Sequence, residues 1–383
     1  MQSMIPYWSL FSLFITLIYG GLILLYRYFW LKIPNLDHGS KSESGTFVSV
    51  VIVGRNEAKN MPTCLNSIIG NSYPAHLFEI IYVDDHSEDE SVAILQKLGM
   101  PGLKLIELKH FIRSEFSQSF KKMGIEAALQ QAKGELILQT DADCKVANHW
   151  IQDHVLMFDH NKAVFTAGPV FIDGSGNWLT SFQKVDFLVN MGLTGAGMYS
   201  GWHYMGNGAN MSYSKNAYLK ADLEGTKMVA SGDDMFLVQA LAKANAKNIH
   251  FLKSCDSYVL TKPEKTFKEF FWQRIRWASK TPKYKNPSLL FTAAFVFLVN
   301  LMLVFNFFFA IWHVAFLYLV SMVLFIKLTV DYSFIKSISN FYRQKIGPGQ
   351  FLFSSLLYPF YFLLIGMLSL TFRKYQWKER KIG

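Results

Sequence analysis

Three long stretches of the chain lack Asp, Glu, Lys and Arg, and they dominate its hydrophobic pattern. They cover residues 1–26, 286–326 and 346–372. Because a bilayer-spanning helix needs about 20 apolar residues, the first and last stretches are long enough for one span each, and the middle one for two. The pattern therefore predicts an N-terminal transmembrane helix within residues 1–32 and a C-terminal transmembrane region, residues 286–372, of two to three helices.

The first apolar stretch could instead be a cleaved signal peptide. Such peptides begin with basic residues and end at small ones. Here the N-terminus is uncharged, and the stretch ends in the aromatic and basic residues 26–30. Residues of this kind anchor a helix at the membrane interface, so we favour a retained span, residues 7–30.

Between the first two apolar stretches, short apolar runs alternate with helical patterns. A polar, turn-rich segment at residues 33–46 reads as a linker. Strands are predicted at residues 48–53, 80–83, 103–108 and 136–139, and helices at 57–70, 88–98 and 121–132. This alternation favours an α/β fold with a parallel, doubly wound sheet. We expect the catalytic domain at residues 47–265.

Polar side chains follow three of these strands. Arg55, Asn56 and Glu57 follow the first, Asp84 and Asp85 the second, and Asp141 and Asp143 the fourth. Open α/β sheets bind ligands at the carboxyl ends of their strands, so this edge resembles a nucleotide crevice. The alternative for the second strand is a cap for the next helix, in which Ser87 takes part.

Asp141 and Asp143 are two residues apart, so strand geometry sends both to the same side of the chain. Two carboxylates this close repel unless a cation lies between them. That cation would be Mg²⁺ or Mn²⁺ carrying a diphosphate. The alternative is an ordinary acidic turn.

Two further loops carry candidate chemistry. The segment from Gly206 through Gly208 to Asn210 is a tight Gly/Asn loop of the kind that lets backbone approach a ligand. Asp233 and Asp234 precede a strong helical pattern. Either one caps that helix, or one of them is a general base held at its N-terminus.

Residues 266–285 are predicted to form an amphipathic helix at the membrane interface. Thr266 and Glu269 make a capping box. One face is apolar and suits the membrane interface; it carries Phe267, Phe271, Ile275 and Ala278. The opposite face carries Gln273, Arg276 and Trp277, a set suited to gripping phosphate and stacking on a sugar ring.

In the C-terminal region we expect a helical hairpin that turns near Trp312 and His313. A basic loop at residues 327–349 should follow, and then an apolar segment, 351–372, that contains Pro359. That segment either spans the membrane or is re-entrant. A basic tail, residues 373–383, ends the chain.

The net charge of +10 lies mainly beside the apolar stretches, not on one folded face. This distribution argues against nucleic-acid binding and, by the positive-inside rule, places the central region in the cytoplasm of a multi-pass protein of the cell membrane. The three cysteines are few and widely spaced, so neither a disulfide framework nor a zinc site is indicated.

These motifs in this order resemble a membrane-bound family 2 glycosyltransferase, the group that includes polysaccharide synthases and ceramide glucosyltransferases. The resemblance covers roughly residues 47–280 and ends in the Gln-x-x-Arg-Trp segment, residues 273–277. It implies a GT-A nucleotide-diphospho-sugar transferase domain with flanking transmembrane helices. It also implies a nucleotide-sugar donor, UDP-sugar being favoured, a divalent metal (Mg²⁺ or Mn²⁺) and inversion at the anomeric carbon.

The resemblance also implies roles for residues. Asp143 would be the metal ligand, Asp141 its companion, and Asp234 the general base beside Asp233. Trp277, Gly208 and Asn210 would contact the acceptor. Those implied to bind the donor are Arg55, Asn56, Glu57, Asp84, Asp85, Lys122, Asp141, Gln273 and Arg276. Phe120 stands where relatives have Gly, so Lys121 competes with Lys122 for the donor.

Two functions remain open at this point. One is transfer of a sugar to a membrane lipid or lipid-linked glycan. The other is processive synthesis of a polysaccharide, similar to hyaluronan or poly-N-acetylglucosamine, coupled to its export. Four or fewer spans provide little wall for a polymer channel, which favours the lipid acceptor. The oligomeric state is not indicated by the sequence.

Overall fold

The structure is a computed structural model, and it forms two compact units. It describes residues 5–36, 45–110, 120–223, 232–284, 286–371, 375–377 and 380–382. The helical unit comprises Met1–Ile33, Ser175–His203 and Glu264–Tyr375, and the sheet unit comprises Pro34–Gly174, Tyr204–Pro263 and Gln376–Gly383.

Both units contain helices. The helical unit holds α1 (Ile5–Lys32), α6 (Trp178–Ser200), α9 (Phe267–Ala278), α10 (Pro287–Phe309), α11 (Val314–Phe341) and α12 (Pro348–Thr371). The helices of the sheet unit are α2 (Met61–Ile69), α3 (Ser91–Leu98), α4 (Phe120–Gln131), α5 (Trp150–His160), α7 (Lys215–Lys220) and α8 (Asp233–Asn245).

The strands of the sheet unit are β1 (Val48–Gly54), β2 (Phe78–Asp84), β3 (Leu103–Glu107), β4 (Leu136–Asp141), β5 (Lys145–Val146), β6 (Phe165–Ala167), β7 (Val170–Ile172), β8 (Met211–Ser214), β9 (Ile249–Phe251) and β10 (Val259–Thr261). A last pair, β11 (Tyr375–Trp377) and β12 (Arg380–Ile382), forms a two-stranded sheet near the C-terminus.

The main sheet has seven strands in the order β3-β2-β1-β4-β8-β6-β9. Its first four strands are parallel, as the alternating pattern predicted. β8 then runs antiparallel to both β4 and β6, so the whole sheet is mixed, not parallel throughout. A second sheet has the order β5-β10-β7. The prediction of an α/β fold is confirmed, and the purely parallel sheet is corrected.

Strand register brings the polar strand ends together. Gly54 at the end of β1 pairs with Asp84 of β2, and its neighbour Val53 pairs with Asp141 of β4. A Cβ at Gly54 would lie 2.1 Å from the Tyr82 hydroxyl oxygen, so glycine is required for this close packing. The carboxylates of β2 and β4 therefore flank the same strand end.

Among the residues that the structure describes, four helices of the helical unit are long and apolar enough to cross a membrane: α1, α10, α11 and α12. The predicted hairpin between α10 and α11 is present and turns at residues 310–313. The predicted loop at 327–349 is wrong for residues 327–341, because α11 continues to Phe341. α12 continues through Pro359.

Two other helices of this unit do not belong to that set. α9 confirms the predicted amphipathic helix, and both bonds of its capping box are present: Thr266 Oγ1 accepts from the Glu269 amide, and Glu269 Oε2 from the Thr266 amide. α6 was not predicted. It falls inside the stretch expected to be the catalytic domain, yet it packs within the helical unit.

The extension of α11 places an ion pair inside the helical unit. Lys327 pairs with Asp331 one turn later, and their side chains are only 4% and 14% exposed. The Tyr19 hydroxyl of α1 donates to Asp331 Oδ1 at 2.7 Å, and Lys327 Nζ lies 5.1 Å from the Tyr19 ring centroid. These charges are buried, but each has its partner.

We expect Lys327→Met to lower the free energy of unfolding by about 3–5 kcal/mol, because it leaves the Asp331 carboxylate buried without its cation. The double variant with Asp331→Leu should regain most of that loss. Thermal unfolding of the detergent-solubilised protein measures both. Lys336→Met, on an exposed position of the same helix, is the control. Equal losses in the single and double variants would contradict the pairing.

Candidate active site

The centre of the candidate site is the acidic turn after β4. Asp141 and Asp143 are both half-buried, and one potential ligand atom from each lies within 4.8 Å of the others in a group that includes the Cys144 sulfur. Burial, with smaller contributions from Asp143 and Asp141, raises the pKa of the Cys144 thiol well above its ordinary value. The thiol therefore stays protonated and is a poor metal ligand.

This donor set fits an oxygen-preferring divalent cation. Two carboxylates that converge without a thiolate suit Mg²⁺ or Mn²⁺ better than zinc or copper. Cys144 Sγ lies 3.7 Å from Asp143 Oδ1, and Cys64 Sγ lies 3.6 Å from the Asp141 carbonyl oxygen, so both thiols support the turn.

Lys121 of α4 is the cation that contacts this turn. Its Nζ donates to Asp141 Oδ1 at 2.6 Å. Burial acts to lower the pKa of Lys121, but Asp141, and then Asp234 and Asp233, outweigh it and raise that pKa above its ordinary value. The ammonium is therefore fully charged at neutral pH. Lys121 thus contacts the acidic turn, and the donor-binding role expected of Lys122 stays a prediction.

The end of β2 supplies two more buried carboxylates. Asp84 Oδ2 accepts from the Ser87 amide at 3.1 Å, whereas Asp84 Oδ1 is buried and has no hydrogen-bond partner among the described residues. Asp85 Oδ1 lies 3.0 Å from His86 Nδ1 and accepts a hydrogen bond from it in the tautomer that carries the proton on that nitrogen. A buried acceptor without a donor is a site where a ligand N–H can bind.

The predicted cap role of Ser87 is wrong. α3 begins at Ser91, and Asp89 Oδ1 accepts from the Ser91 amide at 3.0 Å. Ser87 Oγ instead accepts from the amide of Asn56 at 2.9 Å. Asn56 has a positive φ of 53°, which this cross-loop bond helps to hold.

The other residues after β1 also join the two loops. Arg55 Nη2 donates to Glu88 Oε1 at 2.7 Å, and Asn56 Oδ1 accepts from the Glu88 amide at 2.8 Å. The Glu57 amide donates to Ser91 Oγ at 2.9 Å. Arg55 and Glu57 are buried. These three predicted donor residues thus lie beside Asp84 and hold the shape of the strand ends.

The Gly/Asn loop meets the N-terminus of α8 at Asp234. The Gly208 amide donates to Asp234 Oδ2 at 2.9 Å, and the Met235 amide donates to Oδ1 at 2.8 Å. A Cβ on Gly206 would lie 2.9 Å from the Asp234 carbonyl oxygen, so this approach also requires glycine. These two amides fix the orientation of the Asp234 carboxylate at the start of α8.

Gly208 also marks where the loop, the lysine and the carboxylate converge. A Cβ built there would lie 3.2 Å from Lys121 Nζ and 3.8 Å from Asp234 Oδ2. Lys121 therefore links the acidic turn after β4 to the start of α8. The predicted residues Asp141, Asp143, Gly208 and Asp234 are brought together within the sheet unit.

Asp233 and Lys122 share a second environment within the sheet unit. Both line a small cavity, and Lys122 is buried. The other residues of the cavity are Ile125, Gln139, Met211, Tyr213, Tyr218, Leu223, Phe236 and Leu237.

Asn210 lies in the protein interior, not at the crevice. Its side chain is fully buried. Its Oδ1 accepts from Trp150 Nε1 at 2.9 Å, and its Nδ2 donates to the Pro169 carbonyl at 2.8 Å. His154 Nε2 lies 2.9 Å from the same Oδ1, and burial lowers the pKa of that imidazole to about 4. With its amide engaged, Asn210 has no surface left for an acceptor.

The Gln-x-x-Arg-Trp segment lies on α9 in the helical unit. Gln273 Nε2 donates to Glu264 Oε1, and the Trp277 ring centroid lies 5.9 Å from that of Phe187. Arg276 is half-buried. The apolar face of this helix was expected to suit the membrane interface. Phe267 on that face is 53% exposed, as this requires, whereas Ile275 is fully buried within the protein.

Sequence reasoning missed Arg274 on this helix and Asp186 on α6. They form a buried ion pair, with Arg274 Nη1 2.7 Å from Asp186 Oδ2. Burial raises the pKa of Asp186, and Arg274 opposes that shift. The spacing of Arg274 and Trp277, three residues apart, was the available signal for Arg274. No sequence pattern indicated Asp186.

Comparisons with known proteins agree with this geometry. The chain shares 27% identity over 146 residues with glycosyltransferase AglE of Haloferax volcanii, covering 38% of this chain and 46% of that protein. It shares 26% over 171 residues with the beta-monoglucosyldiacylglycerol synthase of Trichormus variabilis, covering 39% and 36%. The chain thus spans less than half the length of these curated relatives.

A solved structure shares the fold. The mannosyltransferase PcManGT from Pyrobaculum calidifontis, in complex with GDP-Man and Mn²⁺, superimposes with a TM-score of 0.54. The match covers 88% of this chain and 100% of that one, at 17% sequence identity. This confirms the expected GT-A architecture.

Family models match most of the chain. The model described as glycosyl transferase family 2 matches residues 49–218, and the one described as glycosyl transferase family group 2 matches residues 136–371. The second match alone covers more than half of the sequence. The resemblance proposed from the motifs is therefore confirmed: the chain belongs to glycosyl transferase family group 2.

Proposed function

We propose that this protein is an inverting, metal-dependent glycosyltransferase. It would move a sugar from a nucleoside-diphosphate donor, UDP-sugar being favoured, to a membrane lipid or a lipid-linked glycan. The observation that carries the proposal is the meeting of Asp141, Asp143, Lys121 and Asp234 at one edge of the sheet, in a chain of this family.

The donor would bind at the ends of β1, β2 and β4. Asp85 is assigned to the nucleotide, and the free acceptor oxygen of Asp84 supports a contact with a ligand N–H nearby. Arg55, Asn56 and Glu57 shape this end of the site. Lys121, rather than Lys122, is the better candidate for the donor diphosphate because it is the lysine beside the acidic turn.

Asp143, with Asp141 as its companion, would hold Mg²⁺ or Mn²⁺. When bound, such an ion supplies positive charge that stabilises a departing diphosphate. The motif assigns Gln273 and Arg276 to the same diphosphate, and Trp277 to the acceptor. Gly208 would contribute its backbone to the acceptor side.

The chemistry is a single displacement. The acceptor hydroxyl oxygen forms a bond to the anomeric carbon as the bond from that carbon to the diphosphate oxygen breaks, which inverts the configuration. Asp234 takes the hydroxyl proton, a role supported by the two amides that orient its carboxylate. Asp233 holds the local charge and geometry.

A lipid acceptor is supported by two observations. Four helices are long and apolar enough to span a membrane. One relative, at 26% identity, is a beta-monoglucosyldiacylglycerol synthase. The basic residues that flank the apolar stretches favour a multi-pass protein of the cell membrane with the sheet unit in the cytoplasm.

The test is to incubate membranes that contain the protein with Mg²⁺ or Mn²⁺ and a panel of labelled nucleotide sugars. We expect label in an organic-extractable product. Label in a large insoluble product would instead identify a processive polysaccharide synthase. No labelled product with any donor would contradict the proposed function.

Asp234→Asn should reduce transfer by about 10²–10⁴-fold, because the amide cannot accept the acceptor proton. Donor binding should be retained, since the substitution preserves size and shape. The measurement is initial rate of transfer together with equilibrium binding of UDP in the presence of Mn²⁺. Asp233→Asn is the matched comparison and should cause a smaller loss. Transfer at the wild-type rate in Asp234→Asn would exclude this residue as the base.

Asp143→Ala should weaken metal binding by at least about tenfold, because it removes one of two carboxylate ligands. Titration of the purified protein with Mn²⁺, followed by electron paramagnetic resonance of the free ion, measures this directly. Asp173→Ala, an exposed carboxylate of the sheet unit, is the control. An Mn²⁺ affinity equal in all three proteins would refute the metal site.

A further inference from the structure

One face of α6 is directed at the Gln-x-x-Arg-Trp helix within the helical unit. Gln183, Asp186 and Phe187 are spaced i, i+3, i+4, so they share this face. All three side chains are buried. Each contacts α9 or the residue that leads into it, and two of the contacts are polar.

Gln183 acts on the start of the segment through Glu264. Its Nε2 donates to the Glu264 carbonyl at 3.0 Å, and its Oε1 accepts from the Glu264 amide at 2.9 Å. The Glu264 carboxylate in turn accepts from Gln273 Nε2. The backbone clamp on Glu264 therefore sets where the Gln273 amide group is held.

Asp186 acts on the end of the segment through Arg274. Both side chains are about 95% buried. The Nε and Nη2 groups of Arg274 have no hydrogen-bond acceptor within the described part of the chain. The guanidinium carbon instead lies 4.5 Å from the Trp277 ring centroid, 4.8 Å from that of Phe270 and 5.3 Å from that of Phe187.

This arrangement fixes the indole from two sides. Arg274 lies against one part of the Trp277 ring, and Phe187, next to Asp186 in the chain, meets the same ring edge-on at 5.9 Å. A cation over an aromatic face is attracted by the electrostatic field of the ring, and the attraction is stronger where water is excluded. The Asp186 charge holds Arg274 in this position, since a buried guanidinium without a carboxylate would be strongly destabilised.

We propose that α6 is a positioning helix for the Gln-x-x-Arg-Trp segment, with the Asp186–Arg274 pair as the element that orients Trp277. The proposal rests on the proposed function only in assigning Trp277 to the acceptor. It concerns residues that act through Trp277 and do not themselves touch substrate. It predicts that the pair is needed for acceptor use even where it is not needed for folding.

The decisive variant replaces both members of the pair, Asp186→Leu with Arg274→Met. Removing both buried charges together is nearly neutral for stability or favourable, so the protein should fold. We expect the KM for the acceptor to rise about tenfold, which corresponds to the lost cation–π contact, while the KM for the donor changes less than about twofold. Total membrane lipid extract at varied concentration serves as the acceptor.

A purely structural role gives a different result. Fewer folded molecules lower kcat and leave the KM for the acceptor unchanged. A double variant with that behaviour, or with wild-type kinetics, would overturn the proposal. Lys184→Met removes a charge from a half-exposed position of the same helix and should leave both KM values unchanged.

A second readout does not depend on activity. The near-ultraviolet circular dichroism of the wild type minus that of Trp277→Phe isolates the signal of the held indole. We expect the same difference, between the forms without and with Trp277→Phe, to be lost when both proteins also carry the double substitution. It should also be lost when both carry Arg274→Lys, which keeps the charge pair but lacks the flat guanidinium. Arg274→Lys thus covers the case in which the double variant does not fold.

The two readouts separate the two proposals. If the wild-type protein transfers no sugar, the proposed function fails, whereas the dichroism difference still tests the positioning of Trp277. If transfer is present but the dichroism difference is the same in the wild type and in Arg274→Lys, only the positioning role fails.

Discussion

Repulsion among carboxylates at one sheet edge is the constraint on which the sheet unit depends. Parallel pairing of β1 with β2 and β4 forces Asp84 and Asp141 to flank the end of β1, and Asp234 approaches from α8. Lys121 meets this charge through Asp141 at 2.6 Å. Glycines at 54, 206 and 208 let the strand end and the loop come close enough for the charges to interact. Close packing at these glycines thus brings Asp141, Lys121 and Asp234 to one edge of the sheet.

The parts of the fold that could be predicted are those with a long, unbroken pattern. β1, β2 and β4 are buried on both faces and read as continuous apolar runs, the signature of parallel strands. β6, β7, β9 and β10 have three residues each, too few for any periodicity to show. The change from parallel to antiparallel at β8 depends on pairing between distant segments, which a single sequence does not encode locally.

Errors in the helical unit have one physical source. Counting charges ended the third span before Lys327, because an unpaired lysine is costly in a membrane. Asp331, one turn later, and Tyr19 of α1 neutralise and bind that charge, so the helix continues. Arg274 was missed for a related reason, because its partner Asp186 lies on a different helix. Both residues are accommodated by a partner, and a helical wheel contains no information about partners.

The candidate site was predictable where chemistry and position coincide, as at Asp141, Asp143 and Asp234. It was not predictable where a residue has a suitable functional group that the fold buries and hydrogen-bonds internally. Asn210 carries a suitable amide, yet Trp150, His154 and Pro169 occupy it. Lys122 is adjacent to Lys121, and one step along α4 rotates its side chain by about 100° relative to that of Lys121. Lys121 donates to Asp141, whereas Lys122 is buried and lines a small cavity, a difference that adjacent positions in the sequence do not show.

The family match from residue 136 to residue 371 includes parts of both compact units. The chain enters the helical unit three times, at α1, at α6 and from Glu264 onward. The middle segment, α6, makes polar contacts with this last part of the chain: Asp186 pairs with Arg274 of α9, and Gln183 binds the backbone of Glu264, which precedes α9.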